Sequence, residues 1–219
     1  MLIGGLPRGR TILVLGGPGS GKTIFSIQFL IEGAYSYGEN GLYVSLDEPK
    51  EHLSSEMEAF GWNLSDAESE GKFTFVDASP RRVKGGETTI QKMISTLERE
   101  TKRSQAKRIV VDPVTSLVMQ IPDVVKRRGA VIELIETLNQ LGTTSLITLE
   151  LRSSGLARSL QLEEYLAQGV IVLQTTKVGS TLTKTIQVEK MRGIDHDDQP
   201  RPYKITGRGI TVYPQESIY

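Results

Sequence analysis

Short aliphatic and β-branched runs recur along the chain, and the early ones are each followed by a longer stretch whose apolar residues return every three or four positions. The first run, Thr11 to Leu15, passes through a Gly-rich turn into Thr23 to Tyr37, where Ile24, Ile27, Phe29, Leu30 and Ile31 predict a helix with a broad apolar face. Gly38-Glu39-Asn40-Gly41 stops it. A second strand is expected over Leu42 to Leu46, then a helix from Glu51 to Phe60 with Pro49 near its start. Strand Phe73 to Val76, helix Thr88 to Lys102, strand Ile109 to Val111, helix Val124 to Leu141 and strand Ser145 to Leu149 continue the alternation. Strands alternating with helices build a parallel sheet with crossover helices, so the fold class is α/β.

After Glu150 the pattern changes. Val170 to Thr175 and Thr183 to Glu189 read as strands joined through Lys177-Val178-Gly179-Ser180, and Tyr203 to Thr206 pairs with Ile210 to Tyr213 through Gly207-Arg208-Gly209. These are hairpin signals, and they place antiparallel strands at one edge of the parallel core. With no internal repeat and no Pro/Gly/Ser linker, one domain is expected to cover residues 1–219.

Composition narrows the function classes. Lys and Arg together number 26 and so do Asp and Glu, which argues against a polyanion-coating protein. There is no cysteine, so disulfides and thiolate metal sites are excluded. No apolar run approaches the roughly 18 to 20 residues of a membrane span, and the N-terminus lacks a charged region followed by an apolar one. A cytoplasmic protein is expected.

Gly16-Gly17-Pro18-Gly19-Ser20-Gly21-Lys22-Thr23 matches G-x-x-x-x-G-K-[ST] between a strand and a helix, where a phosphate-binding loop belongs. Backbone N–H groups of Gly17, Pro18-flanked Gly19, Ser20 and Gly21 can wrap phosphates, Lys22 reaches the β/γ-phosphates, and Thr23 ligates magnesium. Arg108-Ile109-Val110-Val111-Asp112 is a buried-strand run ending in an acid, suited to hold the magnesium shell through Asp112. Asp47 and Glu48 end the second strand; a carboxylate there can deprotonate an attacking water, or the pair can simply favour the first turn of the next helix.

Taken together the chain resembles the RecA-like ATPases of the KaiC type. The resemblance rests on Gly4-Gly5-Leu6-Pro7-Arg8-Gly9, the phosphate loop, Tyr43-Val44-Ser45-Leu46-Asp47-Glu48-Pro49, Phe60-Gly61-Trp62, Val111-Asp112-Pro113-Val114-Thr115-Ser116 and Lys190-Met191-Arg192-Gly193, in order and spacing. It implies a RecA-like P-loop core whose mostly parallel twisted sheet carries helices on both faces. It also implies ATP, Mg2+ and a homo-oligomeric ring, usually a hexamer, with nucleotide between subunits. By that similarity Asp47 and Glu48 match a catalytic pair that is usually two glutamates, with Glu48 the preferred base. Lys190, Met191 and Arg192 match a segment that presents its cations to the neighbour's γ-phosphate; without the family they would read as a solvated strand edge. His196 and Thr206 match positions touching base or ribose, while His196 also reads as a loop histidine among Asp195, Asp197 and Asp198.

Some positions depart from the family pattern. Three residues precede Gly4-Gly5-Leu6-Pro7, where members usually carry a short segment, and the clock proteins of the family have two such domains. Where their kinase-active domain has a Ser-Thr pair, this chain has Glu164 and Tyr165, which argues against autophosphorylation. Basic clusters at Arg81-Arg82-Lys84, Arg99 to Arg108 and Lys126-Arg127-Arg128 lack interleaved aromatics, which argues against a nucleic-acid track. His52 reads as an ordinary residue of the second helix. The leading reading is a slowly hydrolysing regulatory ATPase that signals to a protein partner. The alternatives are a recombinase relative with a DNA-contacting loop over Ser153 to Arg158, and a structural ring with ATP as interfacial glue.

Overall fold

The computed structural model describes residues 1–2, 4–79, 86–151, 162–178 and 181–216. The expected alternation is present: β1 (Thr11–Gly16), α1 (Lys22–Tyr37), β2 (Gly41–Ser45), α2 (Lys50–Glu58), α3 (Leu64–Ser69), β3 (Phe73–Asp77), α4 (Gly86–Ser104), β4 (Arg108–Asp112), α5 (Val114–Val118), α6 (Val124–Leu141) and β5 (Thr144–Glu150). It is followed by α7 (Leu162–Leu166), β6 (Gly169–Val178), β7 (Thr181–Met191), β8 (Arg201–Thr206) and β9 (Gly209–Val212). The short helices α3, α5 and α7 were not anticipated by the periodicity, because five or six residues are too few to repeat an apolar stripe. α3 is nevertheless locally encoded: the Asn63 side chain accepts from the N–H groups of Ser65 and Asp66.

One nine-stranded sheet runs β3-β2-β4-β5-β1-β6-β7-β8-β9. The strands from β3 through β6 are parallel, and β7, β8 and β9 reverse in turn. Side chains on a strand alternate between faces, and the core divides accordingly. Leu13, Leu15, Leu42, Val44, Ile109 and Val111 meet α4, α5 and α6 on one face. Ile12, Val14, Tyr43 and Val110 meet α1, α2, α3 and the β8–β9 hairpin on the other. Helices on both faces are thus required by inner strands that are buried at nearly every position. Among the described residues no helix is long and apolar enough to cross a membrane.

Arg108, the first residue of β4, pins the end of α1 to the sheet. Its guanidinium donates to Glu39 at 2.7 Å and to the Phe29 carbonyl at 2.8 Å, and it lies over the rings of Phe29 and Tyr37 at 4.7 and 5.1 Å. Arg108 and Glu39 side chains are only 13% and 17% exposed, so these contacts are shielded from water. Arg108→Met keeps the aliphatic reach and removes the donors. It is expected to cost about 1–3 kcal/mol, read as a lower urea midpoint at unchanged m value. An unchanged midpoint would show that neither the hydrogen bonds nor the guanidinium stack holds this corner.

Candidate functional site

β1 delivers the chain to the phosphate loop at the carboxyl edge of the sheet. Gly16 lies between Glu150 of β5 and Leu173 of β6, and a Cβ there would fall 2.4 Å from Ser20 Oγ and 2.7 Å from the Leu173 carbonyl oxygen. The loop then closes on itself, with the Ser20 N–H donating to the Gly17 carbonyl at 3.2 Å. Gly21 caps α1 in the left-handed region at φ 88°, which a side chain would strain. The N-terminal amides of α1 therefore face the loop, the arrangement that suits an anion. Ser20 Oγ is buried and has no hydrogen-bond partner among the described residues.

The Lys22 ammonium reaches back across the loop and donates to the carbonyls of Gly16 and Gly17 at 2.7 and 3.0 Å. Burial lowers its pKa, opposed by the negative charges of Asp112 and Glu150. Thr23 Oγ1 donates to Asp112 Oδ2 at 2.8 Å, so the first turn of α1 and the end of β4 share a hydrogen bond. Asp112 is 4% exposed and also accepts from Tyr43 Oη at 2.6 Å and from Thr148 Oγ1. A hydroxyl and a carboxylate held together beside a phosphate loop form the donor set of a magnesium ion that keeps waters and phosphate oxygens as its other ligands. The residues present fit both a nucleotide phosphate and Mg2+.

β2 lies beside β4 with Ser45 opposite Asp112, which brings Asp47 and Glu48 to the same edge. The Ser45 hydroxyl donates to the Glu48 carbonyl at 2.6 Å and turns the chain before α2. Pro49 caps α2, so the acidic pair precedes the helix instead of forming its first turn. Asp47 is exposed and Glu48 half-buried. Burial raises the Glu48 pKa, the carboxylates of Glu56, Asp112 and Asp47 raise it further, and His52 pulls it down. His52 thus belongs to the electrostatic surroundings of the site, where the sequence suggested only a helix residue.

Lys190 and Arg192 lie elsewhere. Gly16 is level with Leu173, Leu173 with Ile186, and Lys190 with Val170 near the opposite end of β6. Three steps of β6 separate Val170 from Leu173, about 10 Å at 3.3 Å per residue, more than a lysine side chain spans. The Lys190 ammonium donates to the carbonyls of Glu164 and Tyr165 at 2.8 and 3.0 Å, and Arg192 to Tyr165 at 2.7 Å. Together with Val170 and Glu189 they line a cavity of about 360 Å³. Burial, then the charge of Arg192, lowers the Lys190 pKa. Met191 between them is 4% exposed and packs in the core, so only its main chain is available to a nucleotide.

The other two expected contacts are not brought together. His196 forms a bridge with Leu2 against the N-terminal residues. Thr206 closes the β8–β9 turn, accepting from the Arg208 N–H at 3.2 Å, and that hairpin is tied to α1 through Gln28 and Ile210. The loop from Ser153 to Arg158 and the cluster Arg81-Arg82-Lys84 lie outside the described residues. A larger cavity of about 610 Å³ lies between the N-terminal turn and the outer side of α1, lined by Leu6, Phe25, Phe29 and Arg108, and contains no residue of the phosphate loop.

Four residues of the site escaped sequence reasoning. Tyr43 and Thr148 hold Asp112, and a hydroxyl in an otherwise aliphatic buried strand is a signal that could have found them. Lys184 donates to the Gly19 carbonyl at 2.6 Å and Tyr203 to the Ser20 carbonyl. Those two had no local signal, since they reach the loop only because β7 and β8 fold back beside it.

Known proteins resemble this chain over nearly its whole length. A family model described as "ATPase: KaiC" matches residues 1–217. The chain is 35% identical to a UPF0273 protein of Thermotoga maritima, covering 99% of this chain and 92% of that protein. It is also 35% identical to the circadian clock protein KaiC3 of Synechocystis sp., covering 98% of this chain and 44% of that protein, so it spans less than half the length of such clock relatives. Among solved structures, a KaiC-like protein from Pyrococcus horikoshii OT3 superposes with a TM-score of 0.85 at 34% identity, covering 96% of this chain and 92% of that one. The chain belongs to the KaiC family of ATPases.

Proposed function

We propose that this protein binds ATP with Mg2+ and hydrolyses it slowly, in a homo-oligomeric ring, a hexamer, whose nucleotide state is read by a protein partner. The observation that carries the reading is the Lys22, Thr23 and Asp112 constellation at the mouth of the loop, with Glu48 half-buried one strand away. Mg2+, when bound, neutralises phosphate charge and orients the β- and γ-phosphoryl oxygens. Lys22 exchanges its loop carbonyls for phosphate oxygens, which also restores the charge that burial disfavours. Glu48 takes the proton of a water whose oxygen bonds to the γ-phosphorus as the bond to the β-bridging oxygen breaks, releasing ADP and phosphate. Asp47, shorter and exposed, orients water at the rim.

Lys190 and Arg192 support a ring because they are remote from their own loop yet paired beside a cavity. Two cations two residues apart can stabilise charge on a phosphoryl group supplied by an adjacent protomer, and His196 and Thr206 would contact a nucleotide's base or ribose. Glu164 and Tyr165 in place of a Ser-Thr pair fit an ATPase without autokinase activity. The cytoplasm is the compartment such a protein would occupy.

Three outcomes are expected. In calorimetry Lys22→Ala loses productive Mg-ATP binding, while Glu48→Gln keeps binding and lowers phosphate release by roughly a hundredfold or more; a larger effect of Asp47→Asn would reverse the roles of the pair. The rate should fall as acid protonates Glu48, at a pH above the ordinary carboxylate range, since its pKa is raised. Glu56→Gln removes a like charge and should move that acid limb to lower pH, and His52→Gln should move it higher; limbs that do not move would detach Glu48 from the rate. Finally, Arg192→Ala binds ATP without turnover, and mixing it with Lys22→Ala restores part of the phosphate release, because some interfaces then pair an intact loop with an intact arginine. Mixed assemblies that exchange subunits and stay inactive would remove Arg192 from catalysis.

A further inference from the structure

A phosphate loop works by turning its N–H groups inward, and the carbonyls between them must then face outward and find donors elsewhere. In this chain two successive carbonyls of the loop are met by side chains from the antiparallel extension. Lys184, near the start of β7, donates its ammonium to the Gly19 carbonyl at 2.6 Å, and Tyr203, in the middle of β8, donates its hydroxyl to the Ser20 carbonyl. Both partners are distant in sequence, by 165 and 183 residues. Lys22, from the loop itself, donates in the same way to the Gly16 and Gly17 carbonyls.

We propose that Lys184 and Tyr203 are positioning residues for nucleotide binding, which hold the apex of the phosphate loop with its amides turned toward the phosphates. This rests on the reading of the loop as an ATP site. Three features of the setting favour it. Gly19 is exposed and at φ 69°, a glycine conformation in which the peptide can rotate unless its carbonyl is held. Tyr203 is 2% exposed, packs in the core beside α1, and has its hydroxyl pushed up to about 12 by burial, so it stays a donor throughout the range in which nucleotide binds. β7 and β8 themselves pair over only two residue positions, Thr185 with Pro202 and Ile186 with Arg201, so the loop is held by side chains from two strands that are otherwise lightly joined at this point. Holding the loop in advance removes ordering cost from the binding step.

The test is calorimetry with Mg2+ and a non-hydrolysable ATP analogue, with ADP as a second ligand. Lys184→Met should raise Kd about tenfold, as for a lost charge-assisted hydrogen bond, and Tyr203→Phe about threefold, as for a neutral one. Lys184→Arg, which still donates, should recover most of the affinity. Because both act on the loop and not on the reacting γ-phosphate, the losses should be alike for ADP and the ATP analogue, and steady-state turnover should show KM raised with kcat within about twofold of wild type. A Kd within about twofold of wild type in either Lys184→Met or Tyr203→Phe overturns the proposal, as does a loss confined to the triphosphate, which would mark Lys184 as a direct γ-phosphate ligand. Tyr203→Phe removes a single oxygen and keeps the ring packing, which guards against a folding defect. If the wild type fails to bind nucleotide at all, the ATP reading fails; if it binds and Lys22→Ala does not, the ATP reading stands and the two variants decide the inference alone.

Discussion

Asp112 carries a carboxylate at the end of an inner strand, 4% exposed, and receives hydroxyl hydrogen bonds from α1, β2 and β5 at once. Burying an anion is costly unless its lone pairs are satisfied, and three hydroxyls satisfy them without neutralising its charge. Its charge acts on the Lys22 ammonium and opposes the effect of burial there. The strand order makes this possible, because β4 lies between β2 and β5 and so can be gripped from both sides. Tyr43 and Thr148 occupy the neighbouring strands, and Thr23 comes from the helix that follows the loop. The phosphate loop, the carboxylate and the candidate base are therefore parts of one edge.

Around that edge the two cores do different work. The face covered by α4, α5 and α6 is almost wholly aliphatic and holds none of the site's side chains apart from the strand ends. The other face includes Tyr43, Tyr203, Phe60 and Trp62, and it is here that α1 and the β8–β9 hairpin are joined through Gln28. Aromatic residues with a polar tip can be buried while reaching a partner at the edge, as Tyr43 and Tyr203 both do.

Much of this was legible in the chain. The phosphate-loop motif is contiguous, so its spacing alone reveals it, and the buried run into Asp112 is equally local. The strand–helix alternation could be read because six parallel strands buried on both faces must be apolar at nearly every position. The placement of Asp47 and Glu48 was conditional on strand order, and the register of Ser45 with Asp112 supplies it. The hydroxyls on Asp112 and the donors on the loop carbonyls come from strands distant in sequence, and no local pattern announces a contact closed by topology. The pairing of Lys190 and Arg192 was visible as spacing, whereas their distance from their own loop follows only from the reversal of β7.

That reversal has a metric meaning. β7 is one continuous strand of 11 residues, with Lys184 on its own phosphate loop and Lys190 beside the cavity at the far end. Their partners on β6, Thr175 and Val170, are five steps apart, about 17 Å at 3.3 Å per residue. In the proposed ring, the first lysine would belong to one nucleotide and the second to the next, so the strand would act as a ruler between two sites. The irregular pairing between Val170 and Ile171 adds a residue to β7 within that interval, and so enters the graduation of the ruler itself.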